Sequence, residues 1–308
     1  MLVVLSGGTG GAKLIEGLSH LVDPAELTII CNTADDFIHH GLNISPDLDT
    51  IMYTLAGLCD VKKGWGICGD TFSALGQLEK LGAETWFKLG DKDLAMHITR
   101  SRLLRDGLTL SAATTKLRRA LKVGVTILPM SDDRIETRVE TDEKEISFQE
   151  FFVKERWQPE VKRVVYAGIE KSRPAPGVLE AINNASQIII CPSNPITSIG
   201  PILAVPGIQE ALQITRARAV AVSPLIGVSA ISGPAHKLMA AMGQEATSLG
   251  VAKGYAEMVD LFVMDRRDKS QRKAIEALGF ITLETSILMQ SPADKRRLAG
   301  EVLAFLGK

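Results

Sequence analysis

The chain has 308 residues, of which 45% are hydrophobic, and its 35 Lys and Arg nearly balance its 36 Asp and Glu. This balance argues against a dedicated nucleic-acid binder or a membrane-surface protein. No uninterrupted apolar run approaches the roughly 20 residues that a membrane span needs, and the first residues lack the basic start of a signal peptide. The four cysteines have no C-x-x-C spacing, which favours reduced thiols over a zinc site. We therefore expect a cytoplasmic globular protein with neither nucleic-acid nor membrane partners.

A glycine-rich segment at 6–13, here called the glycine turn, lies between a predicted strand at 2–5 and a predicted helix at about 12–21. Glycines at such a junction let the backbone approach a ligand closely, and the start of a helix favours an anion. A sharp turn without a ligand is the alternative, but one turn rarely needs four glycines together with a threonine and a lysine. We therefore expect phosphate or nucleotide binding by Gly7, Gly8, Thr9, Gly10 and Lys13.

The glycine turn fits neither of the two common nucleotide-binding fingerprints. A Walker A loop would need glycine at Ala12 and serine or threonine at Leu14. The dinucleotide fingerprint would need its last glycine at Lys13. The next predicted strand ends in Asn32, where an NAD-binding protein would have an acid. An NAD-dependent redox enzyme is therefore disfavoured.

The loop at 32–36 follows a predicted strand at 27–31. Ligands of parallel α/β sheets bind beyond the carboxyl ends of the strands. Because the glycine turn also follows a strand, both loops should face the same crevice. We therefore expect Asn32 and Thr33 to belong to the nucleotide or phosphate site.

Two aspartates begin the next predicted helix. Ser45 suits the N-cap and Pro46 the first helical position, so Asp47 and Asp49 fall in the first turn. One acid there would be explained by the helix dipole. Two acids beside a phosphate-binding loop favour a second interpretation, in which they are catalytic and hold Mg²⁺ on a diphosphate.

Residues 51–122 are predicted to be largely helical and to form an insertion or cap. Within this segment, Asp93 is expected to cap a helix that ends at Gly107. Lys88 and Gly90 lie in the turn before that helix, a position that again favours an anion.

The alternation of strands and helices returns in the second half. A loop at 191–201, rich in proline and small hydroxyl residues, follows a predicted strand at 188–190 and brings Ser193 and Asn194 to the crevice. We predict one α/β domain over 1–308, with a Rossmann-like, open, mostly parallel sheet and helices on both faces. The other predicted strands are at 125–128, 219–223, 261–264 and 280–283.

Two further segments interrupt this alternation. Residues 137–141 and 146–148 are predicted to form a hairpin around the charged turn between them. The charged and aromatic residues 150–157 are expected to be a lid or an interface segment.

Seven short motifs occur along the chain. They are SGGTG at 6–10, NTADD at 32–36, SPDLDT at 45–50, KLGD at 88–91, ILPMSDD at 127–133, PSNP at 192–195 and SGP at 232–234. Each is weak alone, but their combination and order resemble the 2-phospho-L-lactate transferase family of deazaflavin coenzyme F-420 biosynthesis. The resemblance covers nearly the full chain.

This resemblance implies a Mg²⁺-dependent transfer between two small molecules, by a homodimer. The donor is lactyl-2-diphospho-5′-guanosine, the acceptor is 7,8-didemethyl-8-hydroxy-5-deazariboflavin, and the products are coenzyme F-420-0 and GMP. The resemblance implies that Asp49 contacts the deazaflavin or the metal and that Lys88, with Gly90 and Asp91, belongs to the acceptor site. We assign the glycine turn, Ser193 and Asn194 to the guanosine diphosphate part.

Three alternatives stay open. Proteins that share the glycine turn and the two-aspartate loop include ones that resemble regulatory nucleotide-sugar binders without turnover, although the KLGD context at 88–91 favours the transferase. Close relatives of the family use an enolpyruvyl or a glyceryl donor in place of the lactyl one. The general base is Asp36, Asp47 or Asp49, and a loose transition state reduces the need for a strong one.

Overall fold

A computed structural model describes residues 1–227, 229–230 and 233–307 of the chain. Ser232, the first residue of the SGP motif, lies outside the described residues. The strands are β1 (Leu2–Ser6), β2 (Leu27–Cys31), β3 (Phe37–His39), β4 (Leu42–Ile44), β5 (Thr126–Pro129), β6 (Glu136–Thr141), β7 (Glu145–Ser147), β8 (Val161–Ala167), β9 (Gln187–Ile190), β10 (Arg218–Val222), β11 (Leu225–Ile226), β12 (Ser229–Ala230), β13 (Leu261–Asp265) and β14 (Ile281–Thr285).

Helices connect these strands. None of those in the described ranges is long and apolar enough to cross a membrane. The α-helices are α1 (Gly8–Ser19), α2 (Pro46–Leu55), α3 (Ser73–Lys80), α4 (Asp91–Arg105), α5 (Leu110–Ala120), α6 (Val178–Asn184), α7 (Gly200–Ala204), α8 (Ile208–Ile214), α9 (Ala235–Ala241), α10 (Ser248–Tyr255), α11 (Arg272–Glu276) and α12 (Pro292–Leu306).

The central sheet has seven strands in the order β14-β13-β10-β9-β1-β2-β5, and all of its neighbouring pairs are parallel. β1 lies in the middle, with Leu2 opposite Leu27 on one side and opposite Gln187 on the other. The predicted α/β, Rossmann-like class is confirmed. The order reverses beside β1, and a ligand crevice forms at such a point.

Side chains of β1 enter two separate apolar cores. Val3 and Leu5 lie in one core, whereas Leu2 and Val4 lie in the other. Successive residues of a strand face opposite sides of a sheet, so a strand buried on both sides is apolar throughout. Helices therefore cover both faces, as predicted: α1 and α12 contribute to one core, and α6 and α8 to the other.

Short antiparallel sheets lie outside the central one. β3 pairs with β4, β11 pairs with β12, and β6 pairs with both β7 and β8. The β6–β7 pair confirms the predicted hairpin, and β8 adds a third strand that its sequence pattern did not reveal.

The predicted helical segment at 51–122 contains the end of α2 and all of α3, α4 and α5. α2 begins at Pro46 with Ser45 at the N-cap position, as predicted. The Ser45 hydroxyl does not cap the helix, however, and instead donates a hydrogen bond of 2.6 Å to Asp36 Oδ2. The division of the chain into one domain with an insertion stays a prediction.

Two predicted helix starts are wrong. α1 begins at Gly8 rather than near residue 12, so the glycines themselves form its first turn. α4 begins at Asp91 with Gly90 at the N-cap position, so Asp93 does not cap it. The carboxylate of Asp70, far upstream in the chain, accepts hydrogen bonds from the first-turn N–H groups of α4 instead.

The segment predicted as a loop at 191–201 is helical from Pro195 onward. A wide turn spans Pro195–Ile199, and α7 follows it. The Asn194 side chain caps this turn by accepting hydrogen bonds from the N–H groups of Ile196 and Thr197. Proline is well tolerated in the first turn of a helix because its missing N–H has no partner there.

The packing of α1 on α12 depends on Gly17. A Cβ atom at Gly17 would overlap the backbone carbonyl of Lys295 in α12. We expect Gly17→Ala to destabilise the protein by about 1–3 kcal/mol, because the helices must move apart. Urea denaturation measures this change. Gly300→Ala in α12 is the control, because its Cβ would lie 3.8 Å from the nearest atom, and it should be neutral or stabilising. A stabilised Gly17→Ala variant would contradict the packing argument.

Candidate active site

A cavity of about 780 Å³ lies beyond the carboxyl ends of β1, β2 and β9. Open α/β sheets bind their ligands at this position. Residues of α2, of the turn before α4 and of the segments 65–66, 148–156, 233–235 and 287–290 also line it. Among the predicted site residues, those that line the cavity are Gly7, Gly8, Thr9, Gly10, Lys13, Asp47, Asp49, Lys88, Ser193 and Asn194.

The glycine turn lies against its neighbours too closely to carry side chains. A Cβ at Gly7 would lie 2.7 Å from Asp47 Oδ2, and one at Gly10 would overlap the carbonyl oxygen of Pro192. Gly8 has a φ of +65°, in the left-handed region that glycine tolerates best. The N–H groups in the first turn of α1 have no acceptor within the helix. The cavity therefore receives the positive end of a helix, which suits a phosphate.

Asp47 is buried on the cavity wall, and its hydrogen-bond donors are neutral. Asn32 Nδ2 donates a hydrogen bond of 2.9 Å to Asp47 Oδ2, and the backbone N–H of Gly8 donates to the same carboxylate. Burial raises the pKa of Asp47 to about 6, and these hydrogen bonds only partly oppose that rise. A cation near Asp47 would therefore be bound favourably.

Asp35 also lies on the cavity wall, although its position in the NTADD motif did not single it out. Burial raises its pKa, and the negative charge of Asp47 raises that pKa further. Asp35 Oδ1 is buried and has no hydrogen-bond partner among the residues that the structure describes. An unpartnered carboxylate oxygen beside a second carboxylate is a suitable place for a hard divalent cation.

These residues fit the predicted Mg²⁺ ion. Mg²⁺ takes oxygen ligands and is commonly held by one or two carboxylates together with substrate phosphates. Asp35 and Asp47 supply two such carboxylates next to the start of α1. Within the described ranges, no group of three or more His, Cys, Asp or Glu could hold a metal ion. Phosphate oxygens and water would therefore have to complete the coordination.

Asp49, which was predicted to share the metal with Asp47, already has a cationic partner. Arg100 Nη1 donates a hydrogen bond of 3.0 Å to Asp49 Oδ2, and Arg100 Nη2 donates to Oδ1. His97 Nδ1 lies 3.6 Å from Asp49 Oδ2. The two aspartates therefore differ electrostatically: Asp49 pairs with a guanidinium, whereas no cationic side chain in the described part of the chain pairs with Asp47.

Asn32 and Thr33 are buried but do not line the cavity. Asn32 Nδ2 donates to the carbonyl oxygen of Thr197 at 3.1 Å as well as to Asp47, and Asn32 Oδ1 accepts from the N–H of Ala34. The structure thus uses Asn32 to hold Asp47 in place. The buried hydroxyl of Thr33 has no hydrogen-bond partner.

Gly90 and Asp91 also lie away from the cavity lining. Asp91 accepts hydrogen bonds of 3.0 Å from the N–H groups of Ser73 and Ala74, at the start of α3. Hydrogen bonds from Thr71 and from these N–H groups lower the pKa of Asp91. Asp91 therefore links α3 to the start of α4, and the predicted contact of Gly90 and Asp91 with a substrate stays a prediction.

Comparison with known proteins identifies the family. A family model described as 2-phospho-L-lactate transferase CofD matches residues 2–288. The chain belongs to the CofD family. It is 44% identical to the 2-phospho-L-lactate transferase of Methanosarcina mazei, over 97% of this chain and 98% of that protein. It is also 44% identical to the phosphoenolpyruvate transferase of Streptomyces griseus, over 98% and 97% of the two chains.

A solved structure supports the fold. The crystal structure of a UPF0052 family protein from Bacillus halodurans has a TM-score of 0.65 and 19% identity, and covers 98% of each chain. At this identity the similarity concerns the fold only. The curated relatives named above are transferases, and this CofD family member is therefore a transferase enzyme.

The CofD cavity has an aromatic wall, which the sequence motifs did not reveal. Phe, Trp and Tyr make up only 5% of the chain, so six of them around one cavity, Tyr53 included, is a marked concentration. Trp86 and Phe87 immediately precede the KLGD motif, and Phe87 packs edge-on against Phe37 at 4.9 Å between ring centroids. Flat aromatic ligands pack well on such side chains. The aromatic wall consists of Trp65, Trp86, Phe87, Phe148 and Phe152.

The raised pKa of Asp47 gives a prediction on stability. When a carboxyl has a higher pKa in the folded state, the protein loses stability as pH rises from the unfolded-state pKa of that group through its folded-state pKa, here about 6. We expect Asp47→Asn to be more stable than the parent at pH 7.5, by at most about 3 kcal/mol, and this gain to shrink at pH 4.5. Thermal denaturation at both pH values measures the difference.

Asp91→Asn provides a control of opposite sign. Hydrogen bonds lower the pKa of Asp91, so its ionised form contributes stability above its unfolded pKa. This variant should be less stable than the parent at pH 7.5. A destabilised Asp47→Asn variant with the same loss at both pH values would show that burial of the Asp47 charge costs no stability.

Proposed function

We propose that this CofD family member transfers the 2-phospho-L-lactate group from lactyl-2-diphospho-5′-guanosine to the side-chain hydroxyl of 7,8-didemethyl-8-hydroxy-5-deazariboflavin. The products are coenzyme F-420-0 and GMP. The observation that carries the proposal is one cavity that combines a helix start, buried carboxylates and an aromatic wall. Such a cavity can bind a diphosphate and a flat heterocycle side by side. The names of the family and of its relatives support the reaction class.

In this proposal the glycine turn and Lys13 bind the diphosphate of the donor. Asp47 and Asp35 would hold Mg²⁺ there, and Asn32 fixes the orientation of Asp47. The bound ion would supply charge neutralisation on the diphosphate and on the departing GMP. Ser193 and Asn194 lie on the same wall and border the donor.

The acceptor binds at the aromatic wall, with Lys88 and Asp49 beside it. Its hydroxyl oxygen forms a bond to the phosphorus that carries the lactyl group. The bond from that phosphorus to the phosphate oxygen of GMP breaks, and the hydroxyl proton passes to solvent water, since a loose transition state reduces the need for a strong base. Asp49 accepts a hydrogen bond from this hydroxyl and orients it. Positioning and charge stabilisation supply most of the rate enhancement in such reactions.

The donor is assigned by the names of the relatives and not by a residue of the cavity. Relatives with nearly equal identity are named 2-phospho-L-lactate transferase and phosphoenolpyruvate transferase. The proposal therefore includes a comparison of three donors, which carry a lactyl, an enolpyruvyl or a glyceryl group. A homodimer in the cytoplasm is also part of the proposal, and light scattering after size exclusion tests the dimer.

The first test is turnover. Purified protein with Mg²⁺, the deazaflavin and the lactyl donor should release GMP, and EDTA should stop the reaction. Asp47→Asn should reduce turnover by at least about 10²-fold, because it removes a carboxylate that faces the diphosphate. Asp132→Asn is the control and should leave turnover unchanged, because the Asp132 carboxylate binds the start of α5.

The three donors separate the outcomes of this test. Faster turnover with the enolpyruvyl or the glyceryl donor reassigns the donor but keeps the reaction. Absence of GMP release from all three contradicts the proposal. In that case, saturable binding of a UDP-sugar without any response to the deazaflavin favours a nucleotide-sugar binder.

A second prediction concerns the aromatic wall. Trp86→Leu should weaken deazaflavin binding by about 10-fold, since stacking on a large ring is worth about 0.5–1.5 kcal/mol beyond the buried area. Titration with the fluorescence of the deazaflavin measures the affinity. Ile214→Ala removes an exposed apolar side chain that does not line the cavity and should change the affinity little. Equal effects of the two substitutions would remove Trp86 from the acceptor site.

A further inference from the structure

Two helices of the cavity face each other through buried polar residues. Asp49 and Tyr53 lie four residues apart on α2, and Asp93, His97 and Arg100 lie at matching intervals on α4, so each set occupies one helix face. We call these five residues the polar seam. Four of them line the cavity, and Arg100 is the one that does not.

The contacts of the polar seam meet at two acids, Asp49 and Asp93. Arg100 is fully buried and binds both carboxylate oxygens of Asp49, while its Nη1 also lies 3.4 Å from His97 Nδ1. His97 Nε2 lies 3.2 Å from Asp93 Oδ1, and the Tyr53 hydroxyl donates a hydrogen bond of 2.6 Å to the same oxygen. The orientation of the Asp49 carboxylate is therefore determined from the side away from the cavity.

Stability is a weak explanation for this arrangement. Desolvation of a buried ion pair offsets much of its attraction, and apolar residues of similar volume often replace such pairs without loss of stability. A bidentate guanidinium does, however, fix the plane of a carboxylate, which a lysine ammonium cannot do. The property that Arg100 adds is therefore the direction of Asp49.

We propose that Arg100 is a positioning residue that holds Asp49 toward the acceptor and keeps it from serving as a metal ligand. This inference rests on the proposed function. The guanidinium offsets the negative charge of Asp49. The remaining lone pairs of the Asp49 carboxylate therefore suit a neutral hydroxyl better than Mg²⁺. The divalent ion would then be held by Asp47 and Asp35, and the pairing of Asp49 with Arg100 distinguishes the acceptor end of the cavity from the donor end.

Arg100→Lys tests the proposal because it keeps the positive charge and loses the bidentate geometry. We expect kcat to fall by about 10²-fold, the effect of a displacement of about 1 Å in a reacting group, and KM for the deazaflavin to rise. The affinity for GDP with Mg²⁺, measured by calorimetry, should stay within about twofold of the parent value. Arg102→Lys, an exposed position on the same helix, is the control and should match the parent in every measurement.

Each outcome decides a separate question. An inactive parent protein rejects the proposed function itself. An active parent with a folded Arg100→Lys variant of unchanged kcat and KM rejects the role of Arg100 alone. Equal loss of GDP and deazaflavin binding, or an unfolded Arg100→Lys protein by circular dichroism, would make Arg100 a structural residue and also overturn the inference.

Discussion

The buried side-chain amide of Asn32 links the segments that form the cavity. Asn32 follows β2, donates hydrogen bonds to Asp47 of α2 and to the carbonyl oxygen of Thr197, and accepts one from its own loop. Asp47 in turn accepts a hydrogen bond from Gly8 at the start of α1. Segments that follow three different strands thus meet at one side chain. A residue that touches no ligand in this arrangement still determines where the ligand-facing residues lie.

This junction places negative charge at a largely buried edge of the cavity. Asp35 and Asp47 are buried and Asp36 is partly buried, and burial raises the pKa of each. A fold selected only for stability would neutralise such a group with a basic side chain or replace it. Functional sites commonly retain such destabilising charges, because a ligand of opposite charge offsets their free-energy cost when it binds. The uncompensated charge is therefore itself an argument for a cationic ligand at this position.

The sequence was informative where function depends on the backbone. Apolar strands followed by glycine or polar loops predicted a parallel sheet with its ligand loops on one edge, and Gly7 and Asp47 indeed meet there. The predictions failed where one side chain acts on a distant segment. Asp70, and not Asp93, caps α4 from about twenty positions away, and Asp91 serves α3. No local sequence pattern indicates hydrogen-bond partners that lie this far apart in the chain.

The same limit explains the aromatic wall. Its members come from three separate segments, and each is an ordinary aromatic residue in its local context. Only the tertiary structure brings 86–87 together with 148–152. The motif at 88–91 located one side of this wall, and its glycine and aspartate lie at the starts of α4 and α3.

Asp47 and Asp49 show why residue type alone does not define a role. They are two positions apart on one helix, so their side chains differ by about 200° in direction around its axis. One meets an amide and a backbone N–H, while the other meets a guanidinium on α4. The Asp47 carboxylate thus keeps a negative charge that a cation can bind, whereas Arg100 offsets the charge of the Asp49 carboxylate. The chemistry at each position follows from the group behind it, and a motif that contains both residues cannot express that difference.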